Sequence, residues 1–382
     1  MCTPSRVQLM TGIYNNRNYL RFGLLDPDSV TFANILRDSG YDTCIAGKWQ
    51  LEGGFEGPVK FGFDRYCLWQ LNRRPNRYAN PGFEIDGKEV DFKNGEFGPD
   101  VVTDYICKFL EEKKASEKPF VVYYSMMLPH WPFVPTPGNP DWDPTMWRDM
   151  DEEPRTTGDN KHWKGMVEYT DKMVGKVVAK LDETGLRDNT IVIFTGDNGT
   201  HFGLTQEFRG RMVTGGKGKT IDDGTHVPFI VNWPGKIAAG KVSDDLVDFS
   251  DILPTLVDLG KAKIPESLKV DGKSLAPAFL GQAYVPRETS YCWYQPEGNR
   301  MKASQHTRTA RYKLYATGKF YDTEEDPLEK NDLAAGKIPE ELVAIHTVLK
   351  AALDQRIKET EKFDSIQIER KKAFPKKNGD GG

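Results

Sequence analysis

Apolar residues recur at intervals of three and four positions along several segments of the chain, which is the spacing of one helix face. The clearest example runs from Trp163 to Leu181 and ends before Gly185, a residue type common just past a helix C-terminus. Asp100 opens a second amphipathic segment, and Ser29 is positioned to cap a third. Helices are therefore predicted at residues 4–11, after Ser29, after Asp100, at 163–181 and at about 340–358.

Short continuous apolar runs lie between these helices and predict strands that are buried on both faces. The longest of them covers residues 120–128. Residues 58–99 have weak periodicity and are predicted as a long excursion with a small hairpin around Asp86 and Gly87. Residues 132–160, rich in Pro and Asp, are predicted as a loop. Strands are predicted at residues 43–46, 120–128, 190–195 and 227–232.

The alternation of strands with long helices predicts an α/β fold, in which a mainly parallel sheet is sandwiched by helices. From about residue 286 the pattern changes to short β-like pieces followed by one helix, which predicts a small C-terminal α+β subdomain. We therefore predict a main domain over residues 1–285, the subdomain over residues 286–360, and a flexible tail over residues 361–382.

Composition and charge exclude several classes of protein. The 382 residues carry 52 Lys and Arg against 56 Asp and Glu, and this net charge of −4 argues against a dedicated nucleic-acid-binding protein. The longest apolar runs are far shorter than the ~20 residues of a membrane span, and no apolar segment of signal-peptide type follows Met1. Five scattered cysteines without a C-x-x-C pair predict neither a disulfide scaffold nor a structural zinc site.

Polar side chains of unusual type follow the predicted strands. Lys48, His130 and the pair Asp197 and Asn198 each come after a strand, and in an open parallel sheet ligands bind beyond these carboxyl ends. Carboxylate and amide oxygens are ligands that suit Ca²⁺ or Mg²⁺ rather than zinc. The pattern therefore predicts a divalent cation at this end of the sheet.

Further cations are predicted beside this metal. Cys2 and Arg6 lie at the start of the first helix, whose N-terminus attracts anions, and Lys217 lies in a Gly- and Lys-rich loop over residues 214–224. Positive side chains next to a divalent metal suit an anionic ester such as a sulfate or a phosphate. Spacing alone thus predicts hydrolysis of an anionic ester, with His130 as the acid or base.

Each of these residues also has a less specific interpretation. A single lysine is most often a solvated surface residue, a histidine between prolines can be an ordinary loop residue, and Asp-Asn-Gly is a common turn sequence. Three arginines could meet a polyanionic sugar, although a solvated charged loop is the simpler interpretation; they are Arg73, Arg74 and Arg77. Three tryptophans could line a sugar site or simply pack; they are Trp69, Trp131 and Trp142. The histidines interpreted as structural are His162, His201 and His226.

The first of these segments reads C-T-P-S-R from Cys2 to Arg6 and resembles the C-x-P-S-R signature of the sulfatase family, within the alkaline-phosphatase-like superfamily. Other segments resemble further family motifs and follow in the family's order. Several motifs in order are far more specific than any one of them. The matching segments are residues 2–6, 47–51, 129–132, 195–199, 216–228 and 311–333.

The resemblance implies a nucleophile and a metal site. In the family the signature cysteine, here Cys2, is oxidised to formylglycine, whose hydrate supplies the attacking hydroxyl and a metal ligand. Arg6 steadies that side chain, and together with Pro4 it belongs to the signal that is read by a formylglycine-generating or radical maturation enzyme. Asp197 and Asn198 complete the implied ligands of Ca²⁺, with Mg²⁺ as the other candidate ion.

The remaining implied roles concern the substrate, an aryl or carbohydrate sulfate. Lys48 and Lys217 neutralise the sulfate oxygens, His130 assists the leaving alcohol, and inorganic sulfate is released. The implied partner is therefore a sulfated small molecule or saccharide. One position departs from the family pattern, because Gln50 stands where histidine is usual and an amide cannot transfer a proton. Residues 222–226 also depart, since D-D-G-T-H replaces a Glu-Gly-Gly-x-Arg stretch.

A last departure concerns the start of the chain. The family has an upstream strand with two adjacent metal-binding aspartates, whereas this sequence begins one residue before Cys2, so an N-terminally truncated catalytic domain is expected. The family implies a periplasmic or secreted protein, and the missing signal peptide implies a cytoplasmic one if this start is real. Two alternatives stay open: a truncated, inactive homologue, and a phosphate or phosphonate ester hydrolase of the same superfamily.

Overall fold

The computed structural model describes residues 1–145, 160–208 and 210–376. Its helices are α1 (Cys2–Thr11), α2 (Asn15–Asn18), α3 (Phe32–Asp38), α4 (Glu56–Lys60), α5 (Gly98–Lys113), α6 (Trp163–Thr184), α7 (Asp222–Thr225), α8 (Ile252–Leu259), α9 (Ala276–Phe279) and α10 (Val343–Ala373). Its strands are β1 (Asp42–Lys48), β2 (Arg65–Trp69), β3 (Gly82–Ile85), β4 (Lys88–Asp91), β5 (Phe120–Ser125), β6 (Val192–Thr195), β7 (Thr205–Phe208), β8 (Arg211–Thr214), β9 (Phe229–Asn232), β10 (Ser290–Tyr294), β11 (Ser304–Arg308), β12 (Tyr312–Tyr315) and β13 (Phe320–Asp322). The chain divides into two compact units, which we call the terminal unit (Met1–Phe32, Ile193–Val231 and Ile237–Gly382) and the middle unit (Ala33–Val192 and Asn232–Lys236).

A mixed sheet organises the middle unit. Its strand order is β4-β3-β2-β1-β5, in which β1 pairs in parallel with β2 and β5, whereas the β2–β3 and β3–β4 pairs are antiparallel. Helix α5 packs on β1 and β2, and α6 packs on α5. The predicted α/β class is confirmed, and the parallel core carries antiparallel strands that make the sheet mixed.

The excursion predicted over residues 58–99 contains more regular structure than expected. The hairpin around Asp86 and Gly87 is confirmed, because β3 and β4 pair directly across it. Strand β2 was not predicted, since its five residues carry no alternation and it is stabilised by parallel pairing with β1. Of the loop predicted over residues 132–160, residues 146–159 lie outside the described part of the chain.

Strands β5 and β6 are less buried than their apolar sequences predict. The first five residues of β5, and all four of β6, are half-buried rather than buried on both faces. Strand β5 is an edge strand of the described sheet, and β6 pairs with β9 in a separate described pair. The prediction of burial on both faces was wrong here. An edge strand has a neighbouring strand on one side only, so its side chains lack covering side chains on the other side.

An antiparallel sheet and a long helix occupy the C-terminal part of the terminal unit. The strand order is β10-β11-β12-β13, and α10 packs on β11 and β12. Strands followed by a helix agree with the α+β character predicted after residue 286. The boundaries proposed for a subdomain at residues 286–360 stay a prediction.

Helix α10 is longer than predicted. It ends at Ala373 rather than near residue 358, so residues 361–373 are helical and only the last residues of the predicted tail, 377–382, lie outside the described part of the chain. Polar contacts anchor this extension: the Arg370 guanidinium donates to the carboxylates of Asp26 and Asp28 near the start of the chain, and Asp364 accepts from Arg300 after β10. A sequence with no apolar stripe gives no local signal for contacts of this kind.

All five cysteines fall in described ranges and are free thiols. Among the helices of residues 1–145, 160–208 and 210–376, none combines the length and the apolar character needed to cross a membrane.

Gly47, next to the end of β1, allows close approach to β5, and replacing it with alanine is expected to destabilise the chain. At its φ of +107° an added Cβ would lie 2.0 Å from the carbonyl oxygen of Ser125. We expect a loss of at least about 3 kcal/mol in the free energy of unfolding, measured by urea denaturation, because strain and a backbone clash combine.

Gly40 is the matched control for this substitution. Its φ is similar, +93°, but nothing lies within 4 Å of an added Cβ. Gly40→Ala therefore introduces backbone strain alone, which we expect to cost about 1 kcal/mol. Equal losses for the two variants would contradict the contribution of the clash.

Candidate functional site

Helix α1 presents Cys2 and Arg6 in a buried setting. Cys2 is the first residue of the helix, and both side chains are buried. Two side-chain hydrogen bonds fix the helix within the terminal unit: Gln8 Nε2 donates to Asp248 Oδ1 at 2.7 Å, and Asn15 Nδ2 donates to the Pro4 carbonyl at 3.0 Å. The helix that begins at the predicted nucleophile is therefore held by polar contacts with Asp248 and Asn15.

Backbone contacts join the segment after β6 to the loop that carries Lys217. The amide of Gly199 donates to the Gly224 carbonyl at 2.9 Å, and the amide of Lys217 donates to the Thr200 carbonyl at 3.0 Å. An added Cβ at Gly199 would lie 2.0 Å from the Asp223 carbonyl oxygen, so this approach requires glycine. The Asp-Asn-Gly turn is thus part of a two-segment structure rather than an isolated surface turn.

The residue before Cys2 lies close to the loop that carries Lys217, since an added Cβ at Gly218 would lie 4.0 Å from Met1 Sδ. Burial lowers the pKa of the Met1 amine, and the charges of Asp197, Cys2 and Lys217 are among those that change it further. The segments that carry these three predicted site residues are therefore neighbours within the terminal unit. Lys217 itself is half-buried.

The oxygens of Asp197 and Asn198 are suited to a hard cation. Asn198 Oδ1 is buried and accepts no hydrogen bond from the described residues, while its Nδ2 donates to the Gly199 carbonyl at 3.0 Å. A buried amide oxygen normally accepts a hydrogen bond, and an oxygen without one is expected where the amide binds a metal ion that is absent. In the part of the chain that the structure describes, no three His, Cys, Asp or Glu side chains cluster as a metal site by themselves. These two oxygens fit part of the ~6–8 donors of Ca²⁺.

Lys48 and His130 belong to the middle unit, where Lys48 ends β1 and His130 follows β5, its parallel neighbour. Lys48 is the last residue of β1 and is buried, so the interpretation as a solvated surface lysine is wrong for this residue. His130 follows β5, is half-buried, and has Nδ1 2.5 Å from the Trp131 carbonyl oxygen. Beyond Lys48, Gln50 adopts a left-handed backbone with φ +48°, a conformation that in non-glycine residues is concentrated at functional sites.

His201 lies closer to the site than its interpretation as a structural residue implies. Burial and the charge of Lys217 lower the pKa of His201. Its Nδ1 accepts from the Gly203 amide at 3.1 Å, and its ring stacks on Phe202 with centroids 4.3 Å apart. An uncharged imidazole therefore lies near one predicted sulfate-binding lysine, and its place three residues after Asn198 was the available sequence signal.

A buried cluster of ions supports the Lys217 loop and was missed by sequence reasoning. Lys313 on β12 has no exposed surface, and its ammonium donates to Asp222 Oδ1 at 3.0 Å, Glu329 Oε1 at 2.7 Å and the Thr220 carbonyl at 3.0 Å. Arg308 donates to the same Asp222 oxygen at 2.5 Å. Residues 222–226 depart from the family pattern, but Asp222 within them anchors the loop by accepting from Lys313 and Arg308.

Two of the arginines of residues 73–77, Arg73 and Arg77, are paired or buried rather than members of a solvated charged loop. Arg73 pairs with the buried Glu84 at 3.0 Å and with Asp91 at 2.6 Å, and Arg77 is only 2% exposed. Trp69 is buried and donates to the Pro75 carbonyl, which supports packing rather than sugar binding. Short-range patterns in charge could not distinguish a paired arginine from a solvated one.

Family models match most of the chain. A model described as Sulfatase matches residues 1–262, and a model described as the C-terminal part of N-sulphoglucosamine sulphohydrolase matches residues 217–359. Together they include every residue that the sequence singled out for the site.

Curated relatives and solved structures also match most of this chain. Arylsulfatase A of Bos taurus is 28% identical, over 89% of this chain and 71% of the relative, and the ulvan-active sulfatase of Formosa agariphila is 25% identical, over 94% and 72%. The structure of Ps i-CgsB in complex with k-i-k-neocarrahexaose has a TM-score of 0.72 and 25% identity, covering 94% of this chain and 81% of that one. BT4656 in complex with D-glucosamine-2-N,6-O-disulfate, at 22% identity, shares the fold with a TM-score of 0.71, covering 95% and 89%.

Proposed function

The chain belongs to the sulfatase family of sulfuric ester hydrolases, and we propose that it releases inorganic sulfate from an aryl or carbohydrate sulfate by means of a formylglycine made from Cys2. The choice of substrate class draws on the relatives, among which are an arylsulfatase and an ulvan-active sulfatase. Ps i-CgsB, whose structure contains k-i-k-neocarrahexaose, is a further similar protein. The maturation enzyme that acts on residues 2–6, and a periplasmic or secreted location, are parts of the same proposal.

One observation supports the proposal most directly. Cys2, Asp197 and Lys217 come from three segments of the terminal unit, and contacts bring these segments together: the Lys217 amide donates to the Thr200 carbonyl at 3.0 Å, and an added Cβ at Gly218 would lie 4.0 Å from Met1 Sδ. They would supply a nucleophile precursor, a metal-binding carboxylate and a cation for the sulfate. These are the groups that attack on an anionic ester requires, because the ester repels nucleophiles until its charge is neutralised.

The residues of this chain have defined tasks in the proposed reaction. The ammonium groups of Lys48 and Lys217 neutralise the sulfate oxygens, and Arg6 steadies the side chain at position 2. His130 gives a proton to the leaving alcohol oxygen as the sulfur–oxygen ester bond breaks. One water is consumed in the whole cycle, and an alcohol and inorganic sulfate are the products.

Two absent groups complete the chemistry, and this chain offers residues for both. Formylglycine at position 2 supplies the nucleophilic oxygen when the modification is present, and Ca²⁺ or Mg²⁺ supplies positive charge beside it. Asp197 and the buried Oδ1 of Asn198 are the described oxygens that would hold the ion. Residue 2 would be the third ligand.

Loss of the nucleophile gives the test of this function. The chain is co-expressed with a formylglycine-generating enzyme, and sulfate release from a chromogenic aryl sulfate is measured. Cys2→Ala is expected to lower turnover more than about 10³-fold, because a covalent nucleophile is removed. Mass spectrometry of the peptide that contains residue 2 is expected to show the aldehyde in the parent chain.

Cys107→Ala is the matched control, since Cys107 is a free cysteine of the middle unit that has no proposed role. It is expected to keep the parent turnover. Faster hydrolysis of a matched phosphate ester would contradict the sulfate preference. An unmodified Cys2 together with absent turnover would contradict the function itself and favour an inactive homologue.

A further inference from the structure

Arg77 is buried against the turn that carries His130. Its guanidinium carbon lies 4.7 Å from the ring centroid of Trp69 and 5.3 Å from that of Tyr78. Its Nη2 donates to the carbonyl oxygen of Trp131 at 2.5 Å. Burying a guanidinium is unfavourable unless its donors form hydrogen bonds, so the bond to the Trp131 carbonyl offsets part of the cost of burying Arg77.

Tyr78 also contacts the turn that carries His130. Its hydroxyl lies 2.5 Å from the carbonyl oxygen of His130 and 3.1 Å from that of Met127. Burial raises the pKa of Tyr78 to about 12, so the hydroxyl keeps its proton and acts as a donor at neutral pH. Residues 77 and 78 therefore fix successive carbonyl groups of the turn.

The Trp131 carbonyl determines which nitrogen of His130 carries the proton. His130 Nδ1 lies 2.5 Å from this oxygen, which also accepts from Arg77. A carbonyl oxygen can only accept, so Nδ1 must be the donor. The neutral ring is then the Nδ1–H tautomer, and Nε2 is the nitrogen that gains and loses a proton.

We propose that Arg77, assisted by Tyr78, is a positioning residue for the acid–base histidine. Arg77 holds the Trp131 carbonyl in place, the carbonyl keeps a proton on Nδ1 of His130, and the proton given to the leaving alcohol oxygen is therefore the one on Nε2. The imidazolium that starts the step has both nitrogens protonated and ends as the neutral Nδ1–H tautomer, so the proton is accounted for. This inference rests on the proposed sulfatase function for its chemical consequence, but not for its tautomer.

Comparing two leaving groups distinguishes a positioning role of Arg77 from a purely structural one. Arg77→Met keeps an apolar side chain between Trp69 and Tyr78 but removes the donor. An alkyl sulfate needs a proton on its poor leaving group, so its hydrolysis is expected to fall about 10²-fold. A 4-nitrophenyl sulfate leaves without that proton and is expected to change little. Equal losses on both esters would overturn the proposal.

Nitrogen NMR of the histidine ring tests the tautomer without any turnover. In the parent chain the neutral His130 ring is expected to carry its proton on Nδ1, and in Arg77→Met the Nε2–H form is expected to increase. Arg77→Lys keeps a cationic donor and is expected to restore Nδ1–H, and Tyr78→Phe to have a smaller effect than Arg77→Met. Should Arg77→Met not fold, Tyr78→Phe and Arg77→Lys are compared with the parent chain.

The two readouts separate this inference from the proposed function. A chain that does not hydrolyse sulfate esters, but whose His130 carries Nδ1–H in the parent chain and shifts toward Nε2–H in Arg77→Met, would contradict the function and support the positioning. A parent chain with Nε2–H would overturn the positioning, whatever its activity. A tautomer that is the same in the parent chain, Arg77→Met and Tyr78→Phe would also overturn it.

Discussion

Replacing Lys313 with methionine is expected to lower the free energy of unfolding by about 3–5 kcal/mol. The Lys313 side chain has no exposed surface, and its ammonium lies between Asp222 and Glu329. Methionine has a similar length without the charge, so two largely buried carboxylates would remain with one cation fewer. Denaturant unfolding followed by tryptophan fluorescence measures the change.

Lys319 provides the matched control for this substitution. It is an exposed lysine between β12 and β13, close in sequence to Lys313. Lys319→Met removes the same charge from the surface, where a change within about 0.5 kcal/mol is expected. Similar small losses in the free energy of unfolding for both variants would contradict a special contribution of the buried Lys313 ammonium.

Acid sensitivity is a second consequence of the Lys313 cluster. Burial alone would raise the pKa of Asp222, but the charges of Lys313 and Arg308 outweigh burial and lower it. A carboxyl with a lowered pKa contributes stability that is complete above its ordinary pKa of about 3.9 and is lost as the pH falls through the lowered value. Without Lys313 this pKa is expected to rise, so Lys313→Met should lose that contribution at a higher pH. Acid titrations followed by circular dichroism compare the two chains.

The same cluster connects the stability of the terminal unit to its candidate site. Lys313 contacts the Thr220 carbonyl as well as Asp222, and both residues lie in the segment that follows Lys217. Tyr315 donates to Glu329 at 2.6 Å, which holds the acceptor on the other side of the ammonium. The C-terminal sheet therefore acts as the support of a loop that belongs to an earlier part of the sequence.

The elements predicted best from the sequence are those whose information is local. Helix α6 was found because its apolar residues repeat with helical spacing, and α1 because proline and glycine mark its two ends. Strand β2 and the β7–β8 hairpin were missed, since β2 depends on pairing and the hairpin strands are largely exposed. The half-buried state of β5 was mispredicted because an apolar run does not reveal whether its strand is central or at an edge.

The candidate site shows the same division between local and long-range information. Cys2, Lys48 and Lys217 could be selected because each lies in a short recognisable segment. The contact of Lys313 with Asp222 spans 91 positions, and that of Arg77 with the Trp131 carbonyl spans 54. Lysine in a strand and arginine in a loop have no local mark of burial, so only tertiary structure reveals such supporting residues.

Replacing Lys217 with methionine is expected to lower kcat for sulfate ester hydrolysis about 10²–10³-fold. Lys217 is half-buried, and its backbone amide joins its loop to the segment that follows Asp197 and Asn198. In the proposed reaction, negative charge builds up on the sulfate and leaving oxygens as the ester bond breaks, and a positioned ammonium lowers that barrier. Initial rates on a chromogenic aryl sulfate, measured for the matured chain, give the change.

Lys219→Met separates the charge of Lys217 from the integrity of its loop. Lys219 is exposed in the same loop, and its backbone amide, which donates to the Gly216 carbonyl at 2.8 Å, is retained in the variant. Its turnover is expected to stay close to that of the parent chain. Equal losses in the two variants would point to a disturbed loop, whereas unchanged turnover in Lys217→Met would refute its role in neutralising sulfate. Because Lys217 is joined to Thr200 through its backbone amide, methionine keeps that contact and the comparison reports on the ammonium alone.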